Sequence, residues 1–272
     1  MTGLPTIALV NHSVSRLIIG GNPFSGNSHM SPELDNEMAD WYTNERIKEA
    51  LFEAERHGIT AMLSRGDRHI LRLIREYRNE GGKLDWICQI ASELADLKGH
   101  IRQVAAAGAM SIYHHGTRTD NLWHAGRIDE AHELLKAMRD TGVVVGFGSH
   151  IPEVIEYVEE RGWDLDFYVC SVYNLNRAPR QSQVTTIQRN EEVFDAADRD
   201  RMFRTIRAVP KPVLAIKILG AGRNCTTPEA TRAAFQYTFD NIKSTDGVVV
   251  GMFTKYGNQI AVNAEIVRSL CR

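Results

Sequence analysis

The 272-residue sequence is poor in the features that mark several large classes of protein. It has four cysteines, Cys88, Cys170, Cys225 and Cys271, and none of them forms a CxxC pair, so the sequence offers neither a disulfide framework nor a cysteine-based zinc site. Its formal net charge is only −2, which gives no electrostatic reason to expect a nucleic acid or a membrane surface as partner. This small charge, together with 43% apolar residues, excludes disorder of the whole chain.

Long hydrophobic runs are also missing. No segment approaches the roughly 20 apolar residues of a membrane span. The first residues lack the basic start and long apolar core of a signal peptide. We therefore expect a cytoplasmic protein with reduced thiols, whose partner is a small-molecule substrate rather than a nucleic acid or a membrane. The sequence does not indicate an oligomeric state.

Short apolar runs alternate with amphipathic segments along the whole chain. The runs are rich in β-branched residues and begin near Leu17, Ile59, Leu84, Ala109, Val143, Leu165, Val213 and Val248. The segments between them have helical spacing, as at Ile47, Leu51 and Ala54, and several end at a glycine. This alternation predicts one α/β domain over residues 1–272, a closed (β/α)8 TIM barrel, with an open doubly wound sheet as the alternative.

Two connections are longer than the others. They cover residues 22–44, after the first strand, and residues 174–195, after the sixth. Because both follow strands, we expect them to lie over the C-terminal mouth, where barrel enzymes carry their active sites. The second connection contains Arg177, Arg180 and Arg189, which either meet an anion or are simply solvated.

Several strand-end motifs resemble those of the aldo-keto reductases. They are Val14–Phe24, Gly58–Thr60, Ser111–His114, Gly146–Pro152, Val172–Leu175 and Lys217–Gly222, with Gly251, Met252, Gln259 and Asn263 further on. The resemblance spans nearly the whole chain. It implies a (β/α)8 barrel and, in the family, NADPH-dependent carbonyl reduction by an Asp, a Tyr, a Lys and a His.

The chain departs from that catalytic pattern. Only the histidine has a counterpart, His114, whereas Leu63 stands where the family has its aspartate and no tyrosine follows. The third strand ends without the lysine, and Ile216 and Cys170 replace the residues that contact the nicotinamide. Hydride addition to a carbonyl needs a proton donor whose pKa is lowered by a neighbouring cation. We therefore expect neither NADPH chemistry nor another cofactor, while a divalent metal ion stays possible.

Polar residues at the strand ends nevertheless predict an active site. The expected catalytic residues are His114, Lys217, Asp67 and Glu93, and the expected substrate-binding residues are Asn22, Arg65, His150, Tyr173 and Asn174. His115 is assigned a structural role because adjacent strand residues point in opposite directions. Lys217 is interpreted as a nucleophile or base, with an ion pair or a phosphate contact as the alternative.

These residues favour a non-redox enzyme. We expect a lyase, isomerase or hydrolase that acts on a carbohydrate-like or keto-sugar substrate by acid/base chemistry at the barrel mouth. One alternative is a divergent NADPH-dependent aldo-keto reductase, and another is a ligand-binding barrel without catalysis. Whether the glycine-rich loop Gly220–Arg223 binds a phosphate group is left open.

Overall fold

The computed structural model describes residues 3–181 and 191–271. Its centre is a closed barrel of eight parallel strands, in which each strand pairs with the next along the chain and the last pairs with the first. The barrel strands are β3 (Leu17–Gly20), β4 (Ala61–Arg65), β5 (Asp85–Gln89), β6 (Ser111–His114), β7 (Val144–Ser149), β8 (Phe167–Ser171), β9 (Val213–Ile216) and β10 (Gly247–Gly251). The prediction of a (β/α)8 barrel is therefore confirmed.

Helices connect the strands on the outside of the barrel. They are α1 (Pro32–Trp41), α2 (Asn44–Arg56), α3 (Arg68–Asn79), α4 (Leu97–Ala106), α5 (Gly116–His124), α6 (Ala131–Arg139), α7 (Pro152–Glu160), α8 (Ala196–Ala208), α9 (Pro228–Asn241) and α10 (Gln259–Leu270). Their apolar faces and the outward-facing strand residues form a continuous core. Gly58 and Gly142 follow α2 and α6 with φ angles of 81° and 79°, the left-handed conformation that ends a helix at low cost.

A short hairpin precedes the barrel and closes its N-terminal end. Its strands, β1 (Thr6–Leu9) and β2 (His12–Ser15), pair antiparallel. Side chains of both strands, including Ile7 and Val14, pack in one cluster with barrel residues such as Phe167. The bottom of the barrel is thus filled with apolar side chains, so a ligand can enter only from the opposite end. This hairpin is not predicted by the pattern of apolar runs.

The two long connections differ from plain loops. The first, residues 22–44, contains α1, which begins where the Ser31 hydroxyl accepts a hydrogen bond from the Leu34 amide and Pro32 occupies the first helical position. Several of its residues line the cavity at the C-terminal mouth. The second connection is described only at its two ends, and Arg189 lies outside the described residues. That all 272 residues form one domain stays a prediction.

Among the helices in the part of the chain that the structure describes, none is long and apolar enough to cross a membrane.

Candidate active site

A cavity of about 820 Å³ lies at the C-terminal mouth of the barrel, the end that carries the active site in barrel enzymes. All eight barrel strands contribute residues to its wall, and both long connections border it. Its lower wall is apolar, whereas its rim carries most of the charged and polar groups. The polar residues that line the cavity include Asn22, His29, Arg65, Asp67, Gln89, His115, His150, Arg180, Glu192 and Lys217.

Lys217 follows the last residue of β9 and borders the cavity together with Ile216. Its φ angle is +66°, so the backbone turns into the left-handed region directly after the strand. A non-glycine residue in that region is uncommon and carries some strain. The ammonium group makes no hydrogen bond or salt bridge with any described residue. Burial, together with the charges of Arg180 and Arg223, lowers the pKa of Lys217 to about 7, although Glu192 opposes the shift.

His150 and the buried Asp120 form a carboxylate–imidazole pair at the end of β7. Nδ1 of His150 lies 2.7 Å from Oδ2 of Asp120, which is fully buried in α5 and also accepts a bond of 2.5 Å from Ser149 Oγ. The carboxylate fixes the ring so that Nδ1 carries the proton and Nε2 presents a lone pair to the cavity. Burial lowers the pKa of His150 and outweighs the opposing effect of Asp120. The pair therefore presents a neutral base.

His115, not His114, faces the cavity. Tyr113 and His115 both line it, because alternate residues of a strand share one face and the alternation continues past the end of β6. Ser92 Oγ lies 2.9 Å from Nδ1 of His115 and holds the ring in place. Burial, with the nearby charges of Arg65 and Arg180, holds the pKa of His115 well below its ordinary value. The assignment of His115 to a structural role alone is therefore corrected.

The structure does not place His114, which the sequence predicts to carry the chemistry, at the cavity. Its side chain is completely buried between the barrel and its helices, where the ring stacks on Phe147 with centroids 5.6 Å apart. Nδ1 lies 2.7 Å from Thr119 Oγ1, and burial lowers the pKa of His114 to about 3. The ring is neutral and out of reach of a ligand in the cavity. His114 was selected because it matches the histidine of the aldo-keto reductases, whereas in this barrel it is His115 that lines the cavity.

Arg65, Asp67 and Glu93 form the ion cluster that the sequence suggested. The Arg65 guanidinium bonds Asp67 Oδ2 at 3.2 Å and also contacts the Glu93 carboxylate. Asp67 in addition caps α3 by accepting a bond of 3.0 Å from the Ile70 amide, so this carboxylate is committed to structure. Glu93 is not among the cavity-lining residues. Proton transfer by Asp67 or Glu93 therefore has less support than a role in orienting Arg65.

A chain of hydrogen bonds joins the two long connections across the rim. Asn22 Nδ2 lies 3.1 Å from Nε2 of His29, whose Nδ1 lies 2.8 Å from Glu192 Oε2. Glu192 Oε1 accepts a bond of 2.9 Å from Arg180. Burial and the charge of Lys217 lower the pKa of His29 to about 4. Burial alone would raise the pKa of Glu192, but the contacts with His29, Lys217 and Arg180 outweigh it and lower this pKa to about 2. Asn22 thus lies at the cavity as predicted, but it already binds His29.

Tyr173 and Asn174 lie behind the cavity wall rather than in it. The Tyr173 hydroxyl accepts a bond of 2.6 Å from Asn224, and its ring packs on Phe194. Asn174 Oδ1 accepts a bond of 3.2 Å from the Asn176 amide. Both residues therefore hold the connection after β8, and neither lines this cavity, so their role in substrate binding stays a prediction. β8 ends at Ser171, whose hydroxyl donates a bond of 2.7 Å to the Tyr173 carbonyl.

The glycine-rich loop after β9 has few donors left for a phosphate group. The amides of Gly220, Gly222 and Arg223 donate to carbonyl groups within the loop at 2.8, 3.1 and 3.3 Å. The Arg223 side chain donates to the carbonyls of His29 and Gly220. The loop therefore stabilises its own turn. The residues described by the structure also contain no group of three His, Cys, Asp or Glu side chains that could hold a metal ion.

Sequence reasoning missed three members of the site: His29, Asp120 and Glu192. Asp120 lies 30 positions before its partner, and the segment around it lacks a clear apolar stripe, so no local pattern marked it. His29 and Glu192 belong to connections with no periodicity. The position of His115 did carry a signal, because Ser111 and Tyr113 share its strand face.

No protein-family model and no curated protein sequence matches this chain. Solved structures are similar in fold. They include a truncated 3-deoxy-D-arabino-heptulosonate 7-phosphate synthase from Thermotoga maritima (TM-score 0.55, 15% identity, covering 98% of this chain and 91% of that one). Another is Gox0644 in its apo form (TM-score 0.58, 10% identity, covering 100% of this chain and 95% of that one). A third is the N-acetylmannosamine-6-phosphate 2-epimerase from Clostridium perfringens (TM-score 0.50, 15% identity, covering 84% of this chain and 85% of that one).

The resemblance to aldo-keto reductases was wrong as a guide to family. No family model supports it, and the similar structures whose names state an enzyme include a synthase and an epimerase. Short apolar strands followed by glycine-rich turns are required by every (β/α)8 barrel, so motifs of this kind identify the fold without identifying the family. At identities of 10–15%, these structures likewise establish the fold alone.

Proposed function

We propose that this protein is a non-redox enzyme, a lyase or an isomerase, that acts on the carbonyl group of a small hydroxylated substrate through Lys217. The observation that carries the proposal is the amine of Lys217 in the wall of a deep cavity, where it makes no hydrogen bond or salt bridge with any described residue. A lysine kept for stability would be paired with a carboxylate, whereas this ammonium group has no described partner and its pKa is lowered to about 7. A neutral amine at physiological pH is a nucleophile toward carbonyl carbon.

The chemistry follows from the groups around this amine. The Lys217 nitrogen adds to the carbonyl carbon, and the carbonyl oxygen takes up one proton from this nitrogen and one from solvent. The oxygen then leaves as water and an iminium forms, which water hydrolyses at the end of the reaction to release the product and the free amine. The positive nitrogen withdraws electrons and acidifies the C–H or O–H group next to the former carbonyl. His150, held by Asp120 with its Nε2 lone pair toward the cavity, is placed to accept that proton. Return of the proton at another carbon gives an isomerase, and cleavage of a carbon–carbon bond gives a lyase.

The rest of the cavity suits a hydroxylated ligand. Gln89 and Arg65 supply donors at the wall, and the Gln89 amide oxygen is already held by the Tyr113 hydroxyl at 2.7 Å. The names of similar structures give further support, because they include a heptulosonate-phosphate synthase, a sugar-phosphate epimerase and proteins described as aldolases. Keto sugars and related oxo compounds are therefore the substrate class to screen first.

Reductive trapping tests the proposal directly. The protein is incubated with keto sugars and small oxo compounds in the presence of cyanoborohydride, and the modified peptide is identified by mass spectrometry. We expect a secondary amine at Lys217, because the reagent adds hydride to an iminium carbon. Lys217→Met must abolish trapping.

The control is Lys136→Met, which changes an exposed lysine on α6 far from the cavity and must leave trapping intact. Turnover without a trapped adduct at Lys217 would favour acid/base catalysis by a lyase or hydrolase without an imine. Binding of a compound without turnover or trapping would favour the ligand-binding barrel.

A further inference from the structure

The N-terminus of α5 opens directly onto the cavity. β6 ends at His114 and α5 begins at Gly116, so the helix starts almost without a connecting loop. Gly116 and Thr117 line the cavity, and no side chain caps this helix end. The amides of residues 116–118 donate to no acceptor among the described residues. Free amides and the helix dipole together favour a negative charge at this place.

Two buried side chains converge on the same helix end. His150 is only 6% exposed. A methyl group placed on Gly116 would lie 3.1 Å from Cε1 of His150, so the imidazole packs against the first turn of α5. Its Nε2 atom, next to Cε1, has no partner among the described residues and is free to accept a hydrogen bond from a group in the cavity. Arg180 donates to Thr117 Oγ1 at 3.1 Å, and its Nε atom is buried with no hydrogen-bond partner among the residues that the structure describes.

We propose that the N-terminus of α5 and the guanidinium of Arg180 bind an oxyanion group of the substrate. The substrate is then an anionic carbonyl compound, either a 2-oxo acid or a phosphorylated hydroxy ketone. The oxyanion accepts hydrogen bonds from the amides of Gly116 and Thr117 and from Arg180. The adjacent Nε2 atom of His150 then faces the acidic C–H or O–H of the same molecule. This inference rests on the proposed function for the role of Lys217, but the anion site itself does not depend on an imine.

The placement explains why Arg180 and Glu192 are both held so firmly. Glu192 binds Arg180 and His29 at once, which keeps the guanidinium against Thr117 in the absence of a ligand. A guanidinium fixed in this way loses little side-chain entropy when it binds an oxyanion. The glycine-rich loop after β9, whose amides are occupied, would not compete for the same group.

Matched pairs of carbonyl compounds test the anion site. Pyruvate is compared with hydroxyacetone, and dihydroxyacetone phosphate with dihydroxyacetone, by the initial rate of reductive trapping at Lys217. Each rate is divided by the rate of the same compound with Nα-acetyl-lysine, which removes differences in intrinsic reactivity. We expect the anionic member of at least one pair to be favoured about tenfold or more, the ratio that about 1.4 kcal/mol of binding provides. The preferred pair separates a carboxylate from a phosphate.

Two variants and a matched control locate the preference. Arg180→Gln removes the guanidinium. Thr117→Pro removes one amide, together with the hydroxyl that accepts from Arg180, at a position in the first helical turn that tolerates proline. Both must bring the normalised ratio close to one. Arg177→Gln makes the same change in the same connection, where Arg177 instead binds Asp198 at 2.8 Å outside the cavity, and must keep the wild-type ratio. Equal trapping of anionic and neutral compounds by the wild type would refute the anion site and leave the imine standing.

A binding measurement covers the case in which nothing is trapped. Calorimetric titration of Lys217→Met with pyruvate and with inorganic phosphate reports on the anion site without an imine. Binding that is lost in the Lys217→Met, Arg180→Gln double variant would support the site even if the imine chemistry failed. No binding of either anion, combined with no anionic preference in trapping, would overturn the inference.

Discussion

Replacing Lys217 with methionine is expected to stabilise the protein. Methionine keeps the length and the apolar stem of the lysine, so it can adopt the same place in the cavity wall. The ammonium group, in contrast, loses hydration in the folded protein and gains no described partner in return. The substitution therefore removes an unfavourable charge while it leaves the backbone at φ +66° occupied by a side chain of similar size.

The size of the effect follows from the pKa of Lys217, which falls from 10.5 to about 7 on folding. Each pKa unit corresponds to about 1.4 kcal/mol, which puts the upper limit near 5 kcal/mol. Because the cavity is open to water at its mouth, we expect about 2–3 kcal/mol after screening. Between pH 7 and 10.5 the unfolded chain holds a proton that the folded protein has released, so the stability of the wild type rises with pH in this window. The advantage of methionine is greatest below pH 7 and disappears near pH 10.5.

Urea unfolding of both proteins at several pH values between 6 and 10 measures this difference. The matched control is Lys211→Met, because Lys211 Nζ lies 2.8 Å from Glu159 Oε2 at the start of the same strand. This control removes an ion pair that is partly exposed and is expected to lose up to about 1 kcal/mol. The two substitutions should therefore change stability in opposite directions at pH 6.

One result would refute the reasoning. If Lys217→Met lowers the free energy of unfolding at pH 6, and the loss does not depend on pH, then the ammonium group has a stabilising partner in the folded protein. The nucleophile proposed above would then be an ion-paired structural lysine.

Three further predictions concern the chemistry of the cavity. The rate of reductive trapping at Lys217 should rise with pH through about 7 and level off above it, because only the neutral amine attacks. A rise that continues to pH 10 would show a lysine with the ordinary pKa. Asp120→Asn should lower the turnover of any substrate found by about 10²-fold or more in steady-state kinetics, which is the usual scale for a general base. His114→Gln should change turnover little, but it should lower the free energy of unfolding in urea by about 1–3 kcal/mol because a buried hydrogen bond is lost. NADPH should not bind at micromolar concentration in a calorimetric titration, because the amides of Gly220 and Gly222 already donate within their loop. Measurable binding would support a redox role instead.

The sequence by itself determined the architecture of this protein. Eight apolar runs, each followed by an amphipathic segment, leave few solutions other than a parallel barrel, because each run must be buried on both faces and each crossover must be helical. The same reasoning placed Lys217, Arg65 and His150 at the mouth, since residues that follow parallel strands all meet at one end of the barrel. This information is local and periodic, so a single sequence carries it.

Only the tertiary structure decided which groups meet inside the cavity. Which face of β6 points inward depends on the register of all eight strands. That register places His115 rather than His114 in the cavity wall. The pairing of Asp120 with His150 joins a helix residue to a strand end that no periodic pattern connects. The charge state of Lys217 likewise arises from burial beside Arg180 and Glu192, which come from a distant connection. Contacts between distant segments set these properties, so the strand and helix patterns could place the site but not assign its chemistry.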